Sequence, residues 1–176
     1  MKFAYADPPY IGQATKHYSD DPNCAEVDHA KLLHDLATYY DAWALSLSSP
    51  TLKQILALPE CPDDVRVCAW VKPFCAFKAN VNPAYAWEPI LIHGGRQLGR
   101  DVLTVTDFVS ANITLKRGLV GVKPDKFSYW LFRFVGLTPD DEFVDLFPGS
   151  GSVGRAWDKW CGQPQLNLTN RNERNE

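Results

Sequence analysis

The chain has 176 residues, of which 45% are hydrophobic and 22% charged, with a net charge of −3 and a pI near 5.8. That length is enough to bury a contiguous core without disulfides or metals, and the acidic balance argues against a surface coated throughout for nucleic acid. Five cysteines (Cys24, Cys61, Cys68, Cys75 and Cys161) form no CxxC pair, so neither a disulfide framework nor a zinc site is expected. A reducing cytoplasm is the compartment that fits. No apolar run approaches the roughly 18 residues of a membrane span, which predicts a soluble cytoplasmic protein without membrane partners.

In chain order, Lys2 to Ala6 reads as a strand that Pro8 and Pro9 stop. Ile11 to Pro22 is polar, carries Lys16 and His17, and reads as a loop of the kind that closes over a site. Asp28 is a helix N-cap, followed by Leu32, Leu33, Leu36, Tyr39 and Tyr40 at helical spacing. Ala42 to Leu47 is a buried strand, and Ser48-Ser49-Pro50 opens a second helix ending near Leu58. Asp64 to Val71 and Tyr85 to His93 are further strands, the latter placed at a sheet edge or a bulge by Pro89. Between residues 94 and 120 the pattern weakens to an irregular insert with one short strand over Asp101 to Val105. Lys123-Pro124 opens a helix with Phe127, Trp130, Leu131 and Phe134 on one face, closed near Gly136. Glu142 to Leu146 is a strand, Phe147 to Gly151 a glycine-rich turn and Val153 to Trp160 a helix. Gln165 to Leu168 makes one last strand before a frayed tail from 169. Alternation of this kind predicts a single α/β domain with a mostly parallel sheet and helices on both faces.

Two stretches stand apart. Asp7-Pro8-Pro9-Tyr10 sets a carboxylate, two carbonyls flanked by proline and a flat ring at a strand tip, where α/β enzymes keep their sites. Asp145-Leu146-Phe147-Pro148-Gly149-Ser150-Gly151 lies between a strand and a helix, where glycines admit a ligand close to the backbone and the helix start offers free N–H groups. It is not a Walker phosphate loop, since no Gly-Lys-Ser/Thr follows. Lys72, Lys78, Arg96, Arg100, Lys116, Arg117 and Lys123 lie in the second half and read equally as a basic path or as a solvated surface. Trp70, Trp87, Trp130 and Trp157 read as core, and the four histidines form no metal pattern.

Together, DPPY at 7 to 10, the Lys-Pro helix start at 123 to 124 and DLFPGSG at 145 to 151 resemble the amino-methyltransferases that use S-adenosylmethionine to methylate the exocyclic amine of adenine, or of cytosine, in DNA. WVK at 70 to 72 and AWEPIL at 86 to 91 are weaker supports. The resemblance implies a Rossmann-like methyltransferase fold, circularly permuted with the catalytic motif first, and truncated. It implies catalytic roles for Asp7, Pro8, Pro9 and Tyr10. The carboxylate and the Pro8 carbonyl would accept the two amine hydrogens, relocalising the nitrogen lone pair, while the flipped base stacks on Tyr10. It implies a cofactor pocket of Asp7, Lys123, Pro124, Asp145, Phe147, Gly149 and Gly151, and no metal.

Two features depart from that family. The acidic residue that would hold the cofactor ribose after the next strand is missing. Only Asn167, Asn170 or Glu173 could serve. The stretch 94 to 120 is too short for an independent base-reading domain, so target recognition is expected to need relaxed specificity, a homodimer or a partner subunit. N6 of adenine in DNA is the leading target. Cytosine N4, an RNA amine, and a non-catalytic subunit of a heterodimer are the alternatives, and the compact size suits a phage or mobile element.

Overall fold

The computed structural model describes residues 1–9, 11, 26–74, 81–113 and 122–163. Within them, β1 (Lys2–Ala6), β2 (Ala42–Ser46), β3 (Arg66–Val71), β4 (Trp87–Gly94), β5 (Phe108–Ser110) and β6 (Glu142–Asp145) form one sheet in the order β5-β3-β4-β2-β1-β6. Strands β2, β1 and β6 are mutually parallel, as are β3 and β5, while β4 runs antiparallel between β2 and β3. The central strands are continuous apolar runs because both of their faces are covered: every residue of β2 is buried.

The helices divide between those faces. The helix α1 (His29–Tyr39) starts at Asp28, whose side chain accepts the Lys31 N–H at 3.0 Å, as an N-cap should. With α2 (Leu52–Leu56), it brings Leu33, Leu36 and Ile55 onto Ala4, Ala6, Trp43, Leu45 and Leu91. On the other face α3 (Asp125–Val135) and α4 (Ser152–Gly162) bring Phe127, Leu131, Phe132, Val153 and Trp160 onto Phe3, Tyr5, Trp70 and Ile90. The split follows the two-residue alternation of a strand: Phe3 and Tyr5 look one way from β1, Ala4 and Ala6 the other. Gly136, at φ 70°, closes α3 by donating its N–H to the Arg133 and Phe132 carbonyls.

Sequence expectation and structure differ at four places. The short strand lies at Phe108–Ser110, and Val102 makes only an isolated bridge. Val109 is buried in the core and the Trp130 indole N–H holds the Thr106 carbonyl at 2.9 Å, whereas Leu103 is half exposed. Strand β4 is interior rather than an edge. Its Pro89 carbonyl accepts the Leu47 N–H at 3.0 Å one residue past the end of β2, so the missing proline N–H falls where the neighbouring strand stops. Pro124 is the N-cap of α3, which therefore begins at Asp125. Trp87 is 40% exposed instead of core, while Trp70 and Trp130 are buried.

Candidate active site at the carboxyl edge of β1 and β6

Strands β1 and β6 are parallel neighbours with Tyr5 in register with Asp145, and the Leu146 N–H donates to the Tyr5 carbonyl at 2.9 Å. From their carboxyl ends the chain leaves toward opposite faces: after β1 it reaches α1, and after β6 it enters α4. Such a divergence opens a crevice at the strand tips, the position where ligands bind in open α/β sheets.

Alternation decides which side chains meet there. Asp7 continues the Phe3 and Tyr5 side of β1, Asp145 the Phe143 side of β6, Glu88 the Ile90 and Ile92 side of β4, and Lys72 the Cys68 and Trp70 side of β3. All four fall on the face covered by α3, and Lys123 arrives from the residue just before its N-cap. The Lys123 ammonium lies 3.1 Å from Asp7 Oδ1 and 3.4 Å from Glu88 Oε2, and Lys72 Nζ donates to Glu88 Oε1. Beneath them, the Trp70 ring centroid is 5.0 Å from Lys123 Nζ and 4.8 Å from Lys72 Nζ, a cation–π contact for each. The Lys123 side chain is only 4% exposed, a burial that an ammonium tolerates because carboxylates and an aromatic face surround it.

Asp7 and Asp145 have unusual acidities. Burial pushes the Asp7 carboxyl above its ordinary range, against the pull of Lys123 and Lys72, and Glu88 adds to the push. Asp145 is raised to about 6, chiefly by burial, with the Asp7 charge adding to it and the Phe147 N–H, 3.3 Å from Oδ1, opposing it. Among the described residues, three carboxylates against two ammonium groups give the cluster a formal charge of −1 when ionised. A site built this way favours a cationic ligand.

The turn after β6 supplies backbone. Gly149 and Gly151 sit at φ 45° and 67°, in the left-handed region that side chains disfavour. Gly151 is the N-cap of α4, its N–H donates to the Pro148 carbonyl at 2.5 Å, and the Arg155 guanidinium ties down the Ser150 carbonyl at 2.8 Å.

Of the residues expected from the sequence, Asp7, Pro8 and Pro9 follow the end of β1, Lys123 and Pro124 precede α3, and Asp145, Phe147, Gly149 and Gly151 end β6 and form its turn. Tyr10, the loop from 12 to 22 and the last strand with Asn167, Asn170 and Glu173 lie outside the described residues. Lys123 is placed on the Asp7 carboxylate. The basic path dissolves at three of its members: Lys72 and Lys123 are held by carboxylates inside the cluster, and Arg96 by Asp141. Sequence reading missed Glu88 and Lys72 as site residues. Their signal was available: a carboxylate sharing a strand face with two isoleucines in WEPILI requires a buried partner. Among the described residues no group of histidine, cysteine and acidic side chains could hold a metal.

The sheet, its divergent strand tips and the helices on both faces make a Rossmann-like methyltransferase fold. Among solved structures, that of M1.HpyAVI in complex with SAM matches with a TM-score of 0.57 at 16% identity, over 90% of this chain and 78% of that one. A second structure of M1.HpyAVI matches at 0.56 and 16%, over 92% and 77%. No family model and no curated protein matches the chain.

Proposed function

We propose that this protein is an S-adenosylmethionine-dependent DNA methyltransferase acting on the N6 amine of an adenine flipped out of the helix. The observation that carries the reading is the meeting, at one crevice, of the Asp7 tip of β1 with the Asp145 and Gly149-Ser150-Gly151 turn after β6. The net negative cluster suits a ligand that carries both a sulfonium and an ammonium. Bound S-adenosylmethionine would supply a methyl group on a positively charged sulfur. The open left-handed turn at Gly149 and Gly151 would take its methionine part, with Asp145, Phe147 and Pro124 around it.

The chain's own contribution is orientation and charge. Asp7 accepts one N–H of the target amine and the Pro8 carbonyl the other, which draws the nitrogen lone pair out of conjugation with the ring and points it at the methyl group. Asp7 would take the surplus amine proton, or pass it to solvent, as the methyl group that S-adenosylmethionine would supply is bonded to the nitrogen and its former C–S electron pair stays on sulfur. Pro8 and Pro9 hold the tip rigid, and Tyr10 is the ring on which the base stacks. Cytosine N4 and an adenine in RNA would meet the same two acceptors. Supporting the reading are the joint sequence motifs and a fold shared with a structure solved in complex with SAM.

The test is incubation with methyl-labelled S-adenosylmethionine and unmethylated DNA, then digestion to nucleosides and mass spectrometry. Labelled N6-methyladenine is the expected product. Label in N4-methylcytosine, or only in RNA, changes the substrate. No transfer and no cofactor binding would leave a non-catalytic subunit.

A further inference from the structure

Glu88 and Lys72 lie one step behind the groups assigned to the reaction, and their arrangement has a function of its own. Four charges of alternating sign, Asp7, Lys123, Glu88 and Lys72, run in a line across β1, the start of α3, β4 and β3. Lys123 is the shared member, reaching Asp7 at 3.1 Å and Glu88 at 3.4 Å. The side chains of Glu88 and Lys72 are 16% and 15% exposed, and the ammonium groups of Lys72 and Lys123 both rest on the Trp70 ring. In such a low-dielectric line each charge acts on the next with little screening.

Resting on the proposed role of Asp7 as amine acceptor, we propose that Glu88 and Lys72 are positioning residues that act through Lys123 to set the orientation and ionisation of the Asp7 carboxylate. An acceptor must be ionised. The Asp7 side chain is 25% exposed, and its partial burial raises the carboxyl above its ordinary range, a push that the Lys123 counter-charge opposes. Glu88 fixes where Lys123 sits and competes for its charge. Lys72 answers Glu88 and limits that competition. Among the described residues, the charged groups facing Asp7 are Lys123 beside α3, Glu88 on β4, Lys72 after β3 and Asp145 on β6.

The arrangement predicts opposite signs for two neighbouring changes. Glu88→Gln removes a negative charge, so Asp7 should lose its proton at lower pH. Lys72→Met removes a positive charge, so Asp7 should hold its proton to higher pH, each shift being about half a unit or more. Lys72→Arg keeps the charge and should stay close to the wild type. The midpoint is read directly by carbon NMR of protein labelled at aspartate carboxyl carbons, with Asp7→Asn to assign the signal and circular dichroism to confirm folding. That readout needs no methyl transfer, so it stands or falls apart from the proposed activity. On methylated product, both variants should lower kcat with the KM for S-adenosylmethionine changed less than about threefold. Shifts of opposite sign support the proposal. Absence of shift in both folded variants, or shifts of the same sign, would overturn it, as would a loss confined to KM.

Discussion

Lys123 and Asp7 are 116 residues apart in the chain and 3.1 Å apart in space, joined across the sheet edge by a partly buried ion pair. The lysine sits directly on the carboxylate assigned to the target amine, so its removal should act on that carboxylate more than on cofactor binding. Lys123→Met should cut methyl transfer by about 100-fold near neutral pH and move the acid limb of the pH–rate profile upward. Lys123 favours the ionised form of Asp7, and without it burial and the Glu88 charge are opposed only by the weaker pull of Lys72. A profile that keeps its acid limb would contradict this role.

Gly151 caps α4 at φ 67°, and a Cβ there would also lie 3.0 Å from the Arg155 guanidinium. Gly151→Val should cost about 1–3 kcal/mol of stability and abolish S-adenosylmethionine binding. Calorimetric titration checks it: intact binding in a folded variant would place the cofactor elsewhere.

Asp145 gives stability a pH dependence of unusual sign. Its folded pKa of about 6 exceeds the ordinary value of 3.8, so the folded state binds the proton more tightly. Stability from this group is therefore greatest below the unfolded value and is lost as pH rises toward 6. Asp145→Asn removes the penalty and should stabilise the protein by about 1–2 kcal/mol at pH 7, with a smaller gain at pH 4, while weakening cofactor binding. Thermal melts at the two pH values give the comparison.

Asp141 behaves in the opposite way. Arg96 grips both of its oxygens at 2.5 and 2.7 Å and the Thr138 N–H adds a bond at 2.7 Å, which holds the carboxyl well below its usual range. Its stabilisation is present above the unfolded value and fades as pH falls through the lowered one. Arg96→Ala should cost about 2 kcal/mol at pH 7, less at pH 3, with transfer kinetics unchanged. Denaturant melts at each pH supply the measurement.

The first and last elements were legible because their signals are local. Asp7-Pro8-Pro9 ends a strand by steric rule, and Asp145 to Gly151 reads as strand, turn and helix within ten residues. Glu88 and Lys72 escaped because WEPILI signals only that Glu88 needs a buried partner, and spacing along one strand carries no record of which groups on other elements supply it. Pro89 misled for a related reason: its rule concerns a missing N–H, and whether that matters depends on where the neighbouring strand ends. The strand at Phe108–Ser110 is only three residues long and is fixed by tertiary contacts of Val109 and Trp130, which leave no periodic trace.

The most direct measurement is single-turnover methyl transfer to unmethylated DNA by Asp7→Asn beside the wild type, with S-adenosylmethionine affinity determined for both. The amide keeps the shape of the carboxylate but loses its charge. Transfer should fall by at least about 1,000-fold while affinity stays within about tenfold. Transfer at the wild-type rate in Asp7→Asn would contradict the assignment of this strand tip as the amine acceptor.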